Sequence, residues 1–286
     1  MAAAGAVTDR GAYHLGLPAW AFPGWQGRYF EALPSPPASY ARVFGAVEGN
    51  TTFYRVPSPE MVARWRDAVA DRAFRFCFKL PRSVTHERRP DAADLEALLS
   101  VLAPLKGHLG PLLLQFPATV GPEQIGRFES VIGAVRERHE AVLEVRHPAF
   151  FDDPGLLEPV LERFELGRVV LDCRPLYGGD PEHPEVRDAL HEKPDLPVRP
   201  EVREGVGFVR LVLHPDSAGN RPALEDWAER VAAWLAEGQA VYVMIHCPNN
   251  LHCPAFAESF HDLLRRRMPE LAPLPPWPVP QQNALI

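Results

Sequence analysis

The sequence lacks a long apolar run. No stretch approaches the roughly 20 apolar residues that a transmembrane helix requires. Asp9 and Arg10 interrupt the small, apolar N-terminus before it reaches the length of a signal-peptide core. We therefore expect a protein that has no membrane partner and is located in the cytoplasm.

Cysteine is also scarce. The four cysteines show no disulfide framework, which is typical of a reducing compartment. Residues 246–253 (HCPNNLHC) contain two of them, but this spacing matches none of the common zinc motifs, in which paired cysteines lie two to four positions apart. The sequence therefore predicts no zinc site here and no cofactor.

Basic residues do not predominate in this chain. There are 30 Lys and Arg residues against 37 Asp and Glu residues, and the formal net charge is −7. This balance argues against a generally basic nucleic-acid-binding surface, but it is compatible with a local basic pocket. We expect a small anionic or sugar-like molecule as the partner, and a pocket that grips a nucleic-acid phosphate stays open as an alternative.

The sequence does contain a repeated alternation of strand and helix patterns. Eight short apolar runs predict strands at 13–17, 46–50, 74–80, 109–116, 141–146, 168–173, 205–214 and 239–246. Such alternation implies a parallel sheet covered by helices, and 286 residues is a normal length for a closed α/β barrel. The rival is an open doubly wound sheet, but the first loop reads GLPAWAFPG and has no dinucleotide fingerprint. We predict a single-domain TIM-type (β/α)8 barrel.

Helical patterns separate most of these strands. They predict helices at 37–45, 59–70, 91–104, 122–138, 154–165, 184–192, 222–237 and 254–267. Ser58 is the expected N-cap of the second helix, with Pro59 at its first position. Residues 174–204 break the rhythm and predict a long connection.

The two ends of the chain differ from the barrel in composition. Residues 1–12 are predicted to be a flexible N-terminus, and residues 13–270 form the predicted barrel. Residues 271–286 are too rich in proline for a helix or an interior strand. This tail is expected to be an extended strap or to be disordered.

Polar residues close nearly all of the predicted strands. In a parallel barrel the C-terminal strand ends open onto one face, and that face carries the chemistry. Side chains two positions apart share a face of a strand. Three pairs are therefore expected to point together: Glu48 with Asn50, Glu144 with Arg146, and Asp172 with Arg174. Structural ion pairs that only close the mouth of the barrel would place polar residues at the same strand ends. The candidates at the strand ends are Glu48, Asn50, Lys79, Gln115, Glu144, Arg146, Asp172, Arg174 and His246.

Two loops contribute aromatic side chains to the same predicted face. Trp20 lies in the first loop, and Tyr54 and Arg55 follow the second strand. Aromatic walls with a few polar groups are typical of small-molecule pockets, although these rings would also suit a secondary core over the barrel. The cationic segment 79–89, which includes His86, is expected to hold a phosphate or carboxylate or to be a solvated loop.

Four motifs resemble one family over nearly the whole chain. They are VEGNTTFYRVPSPEMVARW (47–65), FRFCFKLPRSVTH (74–86), LGPLLLQFP (109–117) and LEVRHPAFF (143–151). This combination resembles the DUF72 family, the YecE-like proteins of unknown function. The resemblance implies a TIM-type barrel and adds His147 to the candidates, but it implies no reaction. The chain departs from the family pattern at His246, where many members carry an asparagine pair, and after His214, where no glycine follows.

Three hypotheses for function follow from these residues. The leading one is an enzyme, a hydrolase or an isomerase, that acts on a small anionic or polyhydroxylated substrate. In it Glu48 and Glu144 form an acid/base pair, and Lys79, Arg146 and Arg174 neutralise negative charge. The first alternative is a divalent-metal hydrolase or isomerase that uses Glu48, Glu144, Asp172 and His246 as ligands. The second is a non-catalytic module that binds a metabolite or a nucleic-acid phosphate.

Overall fold

Eight parallel strands form the centre of the molecule. The computed structural model describes residues 11–31, 36–203 and 205–279. The strands are β1 (Tyr13–Leu17), β2 (Ala46–Gly49), β3 (Arg75–Phe78), β4 (Leu112–Gln115), β5 (Ala141–Glu144), β6 (Gly167–Asp172), β7 (Val206–Val212) and β8 (Ala240–His246). Their order in the sheet is β3-β2-β1-β8-β7-β6-β5-β4.

The sheet closes between β3 and β4. This seam is held by two isolated parallel bridges, Phe76 with Leu109 and Lys79 with Leu113. The amide of Gly110 donates to the carbonyl of Phe76, and the amide of Leu80 donates to the carbonyl of Leu113. The predicted single-domain (β/α)8 barrel is thus confirmed, with one seam less regular than the others.

Helices cover the outside of the barrel and also occupy several of its loops. They are α1 (Pro36–Tyr40), α2 (Thr51–Tyr54), α3 (Pro59–Ala68), α4 (Arg82–Thr85), α5 (Ala92–Leu102), α6 (Pro122–Ile125), α7 (Glu129–Arg136), α8 (Ala149–Asp152), α9 (Glu158–Arg163), α10 (Arg174–Tyr177), α11 (Arg187–Glu192), α12 (Arg221–Ala236) and α13 (Cys253–Arg267). The predicted cap at Ser58 is present, because its hydroxyl accepts from the Met61 amide at 3.3 Å. No helix among the described residues is long and apolar enough to span a bilayer.

Two predicted helices are interrupted. The pattern over 122–138 forms α6 and α7 with a 3-10 turn at Gly126–Phe128 between them, because glycine weakens a helix interior. The pattern over 154–165 begins with a 3-10 turn, and α9 starts afresh beside Pro159. Proline has no amide hydrogen to donate, so it suits the first turn of a new helix and not the middle of an old one.

The barrel interior below its C-terminal end is apolar and closely packed. Its buried side chains are Ala46, Cys77, Leu113, Val142, Val169, Phe208, Tyr242 and Met244. Gly16 of β1 belongs to this close packing, since a Cβ there would lie 2.5 Å from the carbonyl oxygen of Ala46. This layer forms a dry floor beneath the polar residues that follow on each strand.

The described part of the tail is extended and packs on the barrel. The Trp277 ring lies 4.9 Å from the ring of Tyr29 and 5.9 Å from those of Phe30 and Phe44. Leu271 and Leu274 also pack against the core. Residues 280–286 of the tail and most of the N-terminal segment, residues 1–10, lie outside the described residues.

Candidate functional site

Arg210 occupies the centre of the barrel mouth. It extends from the middle of β7, is 3% exposed, and shares the inward face of the strand with Phe208. Its Nε and Nη2 donate to the two carboxylate oxygens of Glu48 at 2.7 and 2.9 Å, and its Nη1 donates to Glu144 at 2.5 Å. One guanidinium therefore joins carboxylates from β2 and β5 across the barrel.

Glu48 is fully buried and fully engaged by donors. Besides Arg210, its carboxylate accepts from His246 Nε2 at 3.1 Å and from Asn50 Nδ2 at 3.3 Å. Burial alone would raise its pKa, but the charge of Arg210 and the hydrogen bonds from Arg210 and His246 outweigh burial and hold the pKa well below its ordinary value. Glu48 is therefore ionised at neutral pH.

Glu144 has a similar environment on the opposite side. It accepts from Arg146 Nε at 2.7 Å as well as from Arg210, and Arg146 Nη2 also donates to Gln115 Oε1 at 3.2 Å. Burial opposes ionisation, but the two guanidinium groups lower the pKa of Glu144 to about 2. The predicted acid/base pair thus consists of two ionised carboxylates that hold arginines, an environment that favours a charge-holding role.

Lys79 enters the mouth from the end of β3. It is 8% exposed, and its Nζ lies 3.8 Å from the centroid of the Phe53 ring. Burial and the neighbouring Arg210 lower its pKa to about 8, against the opposing effect of the two carboxylates. A cation over an aromatic face is stabilised by the negative electrostatic potential of the ring.

His86 touches the edge of the same Phe53 ring, with centroids 4.9 Å apart. Its Nδ1 lies 2.8 Å from the Thr85 hydroxyl, which itself donates to the carbonyl of Pro81 at 3.1 Å. The hydroxyl must then accept from Nδ1–H, which leaves a lone pair on Nε2. Burial, Lys79 and Arg146 lower the pKa of His86 to about 4, so the imidazole is neutral at pH 7.

His246, at the end of β8, is also a neutral imidazole. Burial lowers its pKa to about 4, although Glu48 acts in the opposite direction. Because ionised Glu48 can only accept, the Nε2 of His246 must carry the proton that it donates. His246 and Asn50 thus orient Glu48, and Asn50 also donates to the carbonyl of Pro18 at 3.2 Å.

The structure adds two cations that the sequence analysis did not select. Arg210 is the first, and its signal was a single arginine within the apolar run GFVRLVL, two and four positions from other inward residues. The second is Lys193, which follows α11 in the connection over 174–204 and is partly buried. Burial, Arg210 and Arg146 lower the pKa of Lys193, so it lies close to the mouth. No local sequence pattern points to Lys193.

Asp172 and Arg174 do not join this cluster, which corrects their predicted place. Asp172 ends β6 on the helix side, because Val169 on the alternate face lines the barrel interior, and Arg174 is the first residue of α10. Buried Asp172 accepts from Trp227 Nε1 on α12 at 2.7 Å and from Arg174 Nη2 at 2.7 Å. The pair fastens a helix to the barrel wall.

Trp20, Tyr54 and Arg55 lie at a separate feature. They line a surface groove of about 490 Å³ together with Trp65 and residues of the α1 and α3 region. Trp20 packs against Trp65 at 5.1 Å, and Tyr54 is 81% exposed. The predicted aromatic wall is therefore divided, since the Phe53 ring lies against the amine of Lys79 whereas Trp20 and Tyr54 line the groove.

His147 is used in the turn that starts α8. Its Nδ1 accepts from the Ala149 amide at 3.2 Å, and its ring packs near Phe150. The contacts found for His147 among the described residues are thus with its own loop and with Gly121, and not with the cluster around Arg210.

The predicted metal ligands are not brought together. Glu48 and His246 touch each other, but Asp172 lies on the other side of the barrel wall and Arg210 stands between Glu48 and Glu144. Within residues 11–31, 36–203 and 205–279, no group of three His, Cys, Asp or Glu side chains has a geometry that could hold an ion.

Comparison with known proteins identifies the family. Residues 14–282 match the family described as protein of unknown function DUF72. The UPF0759 protein YecE of Escherichia coli K12 is 32% identical over 278 residues, which cover 96% of this chain and 99% of that protein. The YecE protein of E. coli O157:H7 matches with the same identity and coverage.

Solved structures of the family share the fold. A DUF72 protein of Thermotoga maritima, at 2.20 Å resolution, aligns with a TM-score of 0.65 and 22% identity over 91% of this chain and 100% of its own. A DUF72 protein of Enterococcus faecalis, at 3.10 Å, aligns with a TM-score of 0.63 and 18% identity over 91% and 96%. The resemblance found in the sequence motifs is confirmed, and the chain belongs to the DUF72 family.

Proposed function

We propose that the barrel mouth is the active site of an enzyme that acts on a small anionic substrate. The observation that carries the proposal is the charge around Arg210. Arg210 pairs with the ionised carboxylates of Glu48 and Glu144, and Arg146 also pairs with Glu144. Lys79 and Lys193 add positive charge nearby. The net charge of these side chains is positive, which favours a phosphate or carboxylate as the group to be bound.

The roles of the residues follow from their environments. Glu48 and Glu144 hold Arg210 and Arg146 in fixed orientations, which preorganises positive charge for the substrate. Arg146 is the guanidinium that reaches solvent, because 15% of its side chain is exposed. His86 is the proposed proton carrier, since it is neutral and keeps a lone pair on Nε2.

Proton transfer distinguishes this proposal from a purely binding module. A module that only grips an anion needs cations, whereas this mouth also contains a neutral imidazole and an amine whose pKa is about 8. Groups whose pKa values are shifted by burial and by neighbouring charges cluster at active sites, and of these two groups the amine of Lys79 is the one that titrates near neutral pH. Hydrolysis and isomerisation both use such groups, so either reaction class fits the residues.

A ligand screen followed by a turnover assay tests the proposal. Phosphorylated and carboxylated metabolites are compared with uncharged sugars by thermal shift, because a ligand that binds the folded state raises Tm. We expect anionic ligands to raise Tm and the effect to weaken with added salt. Wild-type protein, but not His86→Gln, should then convert a bound ligand. The proposal fails if anions stabilise a Lys79→Met/Arg146→Gln variant as much as wild type.

A further inference from the structure

Lysine is rare in this chain and is concentrated at the mouth. The sequence has three lysines, Lys79, Lys106 and Lys193, among its 30 basic residues. Arginine forms the ion pairs of the site, so cationic charge alone does not require an amine there. An amine differs from a guanidinium because it can lose its proton and become a nucleophile.

Lys79 has the surroundings of a nucleophilic amine. It is 8% exposed, and its Nζ lies over the Phe53 ring at 3.8 Å. No hydrogen bond or ion pair of this amine is found among the described residues, because the nearest carboxylates, Glu48 and Glu144, are occupied by Arg210. The amine is therefore held in place by packing, without a counter-ion bound to it.

The local charges also favour the unprotonated amine. Burial and the guanidinium of Arg210 lower the pKa of Lys79 to about 8. Roughly a tenth of the molecules then carry a neutral amine at pH 7. Burial and a neighbouring cation are the means by which Schiff-base lysines are activated.

We propose that Lys79 forms a Schiff base with small aldehydes or ketones that carry a phosphate or carboxylate group. This inference rests on the proposed function, because Arg146 and the neighbouring cations would hold the anionic group of the substrate. Lys79 is only 8% exposed, so little of its surface meets water, and low exposure to water favours an imine over its hydrolysis. His86 makes an edge contact with the Phe53 ring, over which the Lys79 amine lies, and His86 is the proposed proton carrier.

The step requires no oxidant or reductant. The neutral Nζ attacks the carbonyl carbon, a carbon–nitrogen bond forms, and the carbonyl π electrons move to oxygen. His86 carries one proton from nitrogen to that oxygen, which gives a carbinolamine. His86 then carries the second nitrogen proton to the hydroxyl group, the carbon–oxygen bond breaks, water leaves, and the nitrogen lone pair forms the carbon–nitrogen double bond. The products are one imine and one water molecule, and the imine can then accept electrons from a bond broken at the adjacent carbon.

Trapping with borohydride tests the inference. The full-length protein is incubated with dihydroxyacetone phosphate, or with uncharged dihydroxyacetone as the matched probe, and the imine is reduced with sodium borohydride. Peptide mapping by mass spectrometry then locates the adduct among Lys79, Lys106 and Lys193. We expect Lys79 to be labelled at least tenfold more with the phosphorylated probe than with the uncharged probe. Exposed Lys106 should show no such preference.

Variants and a non-carbonyl analogue separate the possible failures. Lys79→Arg keeps the positive charge but should abolish the adduct, whereas Lys106→Arg should leave labelling of Lys79 unchanged. Glycerol 3-phosphate, which has no carbonyl group, reports on anion binding alone through its effect on Tm. Pyruvate serves as a second carbonyl probe, with a carboxylate in place of the phosphate. If glycerol 3-phosphate binds but dihydroxyacetone phosphate and pyruvate leave Lys79 unlabelled, the Schiff-base proposal is wrong and the proposed anion site stands. If none of the three binds or labels the protein, both proposals fall.

Discussion

Arg210 and Glu48 are separated by 162 positions in the chain but form two hydrogen bonds, of 2.7 and 2.9 Å, inside the barrel. The guanidinium also reaches Glu144, so three charges from β7, β2 and β5 meet where water is excluded. Removing one member of a buried ion pair leaves its partner charged and uncompensated, which costs about 3–5 kcal/mol. The stability of the fold and the charge of the mouth therefore depend on the same residue.

We expect Arg210→Met to lower the free energy of unfolding by about 3–5 kcal/mol, because Glu48 and Glu144 lose their shared donor. Urea denaturation measures this change. Arg221→Met is the matched control, since Arg221 forms an exposed pair with Glu225 that is worth about 0.3–0.5 kcal/mol. Adding Glu48→Gln and Glu144→Gln to Arg210→Met should recover part of the loss. Equal stability of the two single variants would contradict the central role of Arg210.

Stability should fall as pH decreases from about 6.5 to about 4. The pKa of His246 is lowered from 6.5 to about 4 in the native protein, so the unfolded chain binds its proton first and acidification favours unfolding. The full difference corresponds to about 3 kcal/mol, and partly exposed His86 adds to it. Urea midpoints measured across this range should change less for His246→Gln than for wild type. If the urea midpoints of wild type and His246→Gln fall in parallel with pH, His246 does not cause the loss of stability.

A second decrease should follow at lower pH. Glu48 and Glu144 have pKa values below the ordinary 4.5, and that of Glu144 is about 2. Their stabilisation is present above about pH 4.5 and is lost as the pH falls towards 2. Glu144→Gln should remove part of this acid transition while lowering stability at pH 7. A variant that unfolds in acid as wild type does would argue against ionised Glu144.

Anion affinity should distinguish the arginines of two neighbouring strand ends. Arg146→Gln removes a charge-assisted donor worth about 1.5–3 kcal/mol, so an anion found by thermal shift should bind about 10- to 150-fold more weakly. Arg174→Gln should leave affinity unchanged, because Arg174 contacts Asp172 and Asp226 on the helix side. Calorimetric titration of both variants provides the comparison, and a similar loss in both would place Arg174 at the mouth after all.

Asp172→Asn should reduce stability without affecting anion binding. The carboxylate accepts from the Arg174 amide and side chain and from Trp227. In the asparagine variant the side-chain NH2 group would face one of these donors, and that hydrogen bond would be lost. We expect a loss of about 1.5–3 kcal/mol, as for hydrogen bonds to charged groups. Tm and anion affinity measured on one preparation check both parts. If Asp172→Asn weakened anion affinity at unchanged Tm, Asp172 would belong to the anion site and not to the contact between α12 and the barrel wall.

The sequence predicted most of the barrel because its strands are short, apolar and regularly spaced. Its failures were local. The pattern over 122–138 remained helical in periodicity through Gly126, so the 3-10 turn was not visible in it. The small helices α2, α4, α8 and α10 were not predicted, because each is four residues long and too short to show a period.

The site was harder to predict than the fold because strand boundaries determine which face a side chain occupies. Glu48 and Glu144 lie at the mouth, as the strand-end pattern predicted, because each points inward within the last two residues of its strand. Asp172 also ends a strand, but it faces outward, and one position of register makes the difference. Arg210 lies within β7 and Lys193 in a long connection, so a search of strand ends could find neither.

The contact of Trp277 with Tyr29, Phe30 and Phe44 has a consequence for the order of folding. The aromatic surface formed by Tyr29, Phe30 and Phe44 lacks this cover until residue 277 has been synthesised. Likewise, β1 pairs with β2 early but obtains its second partner, β8, only after residues 240–246 have been synthesised. We therefore expect a nascent chain that has not reached these residues to expose one edge of β1 and part of this aromatic surface, so that protection of the first segment from aggregation comes from much later ones.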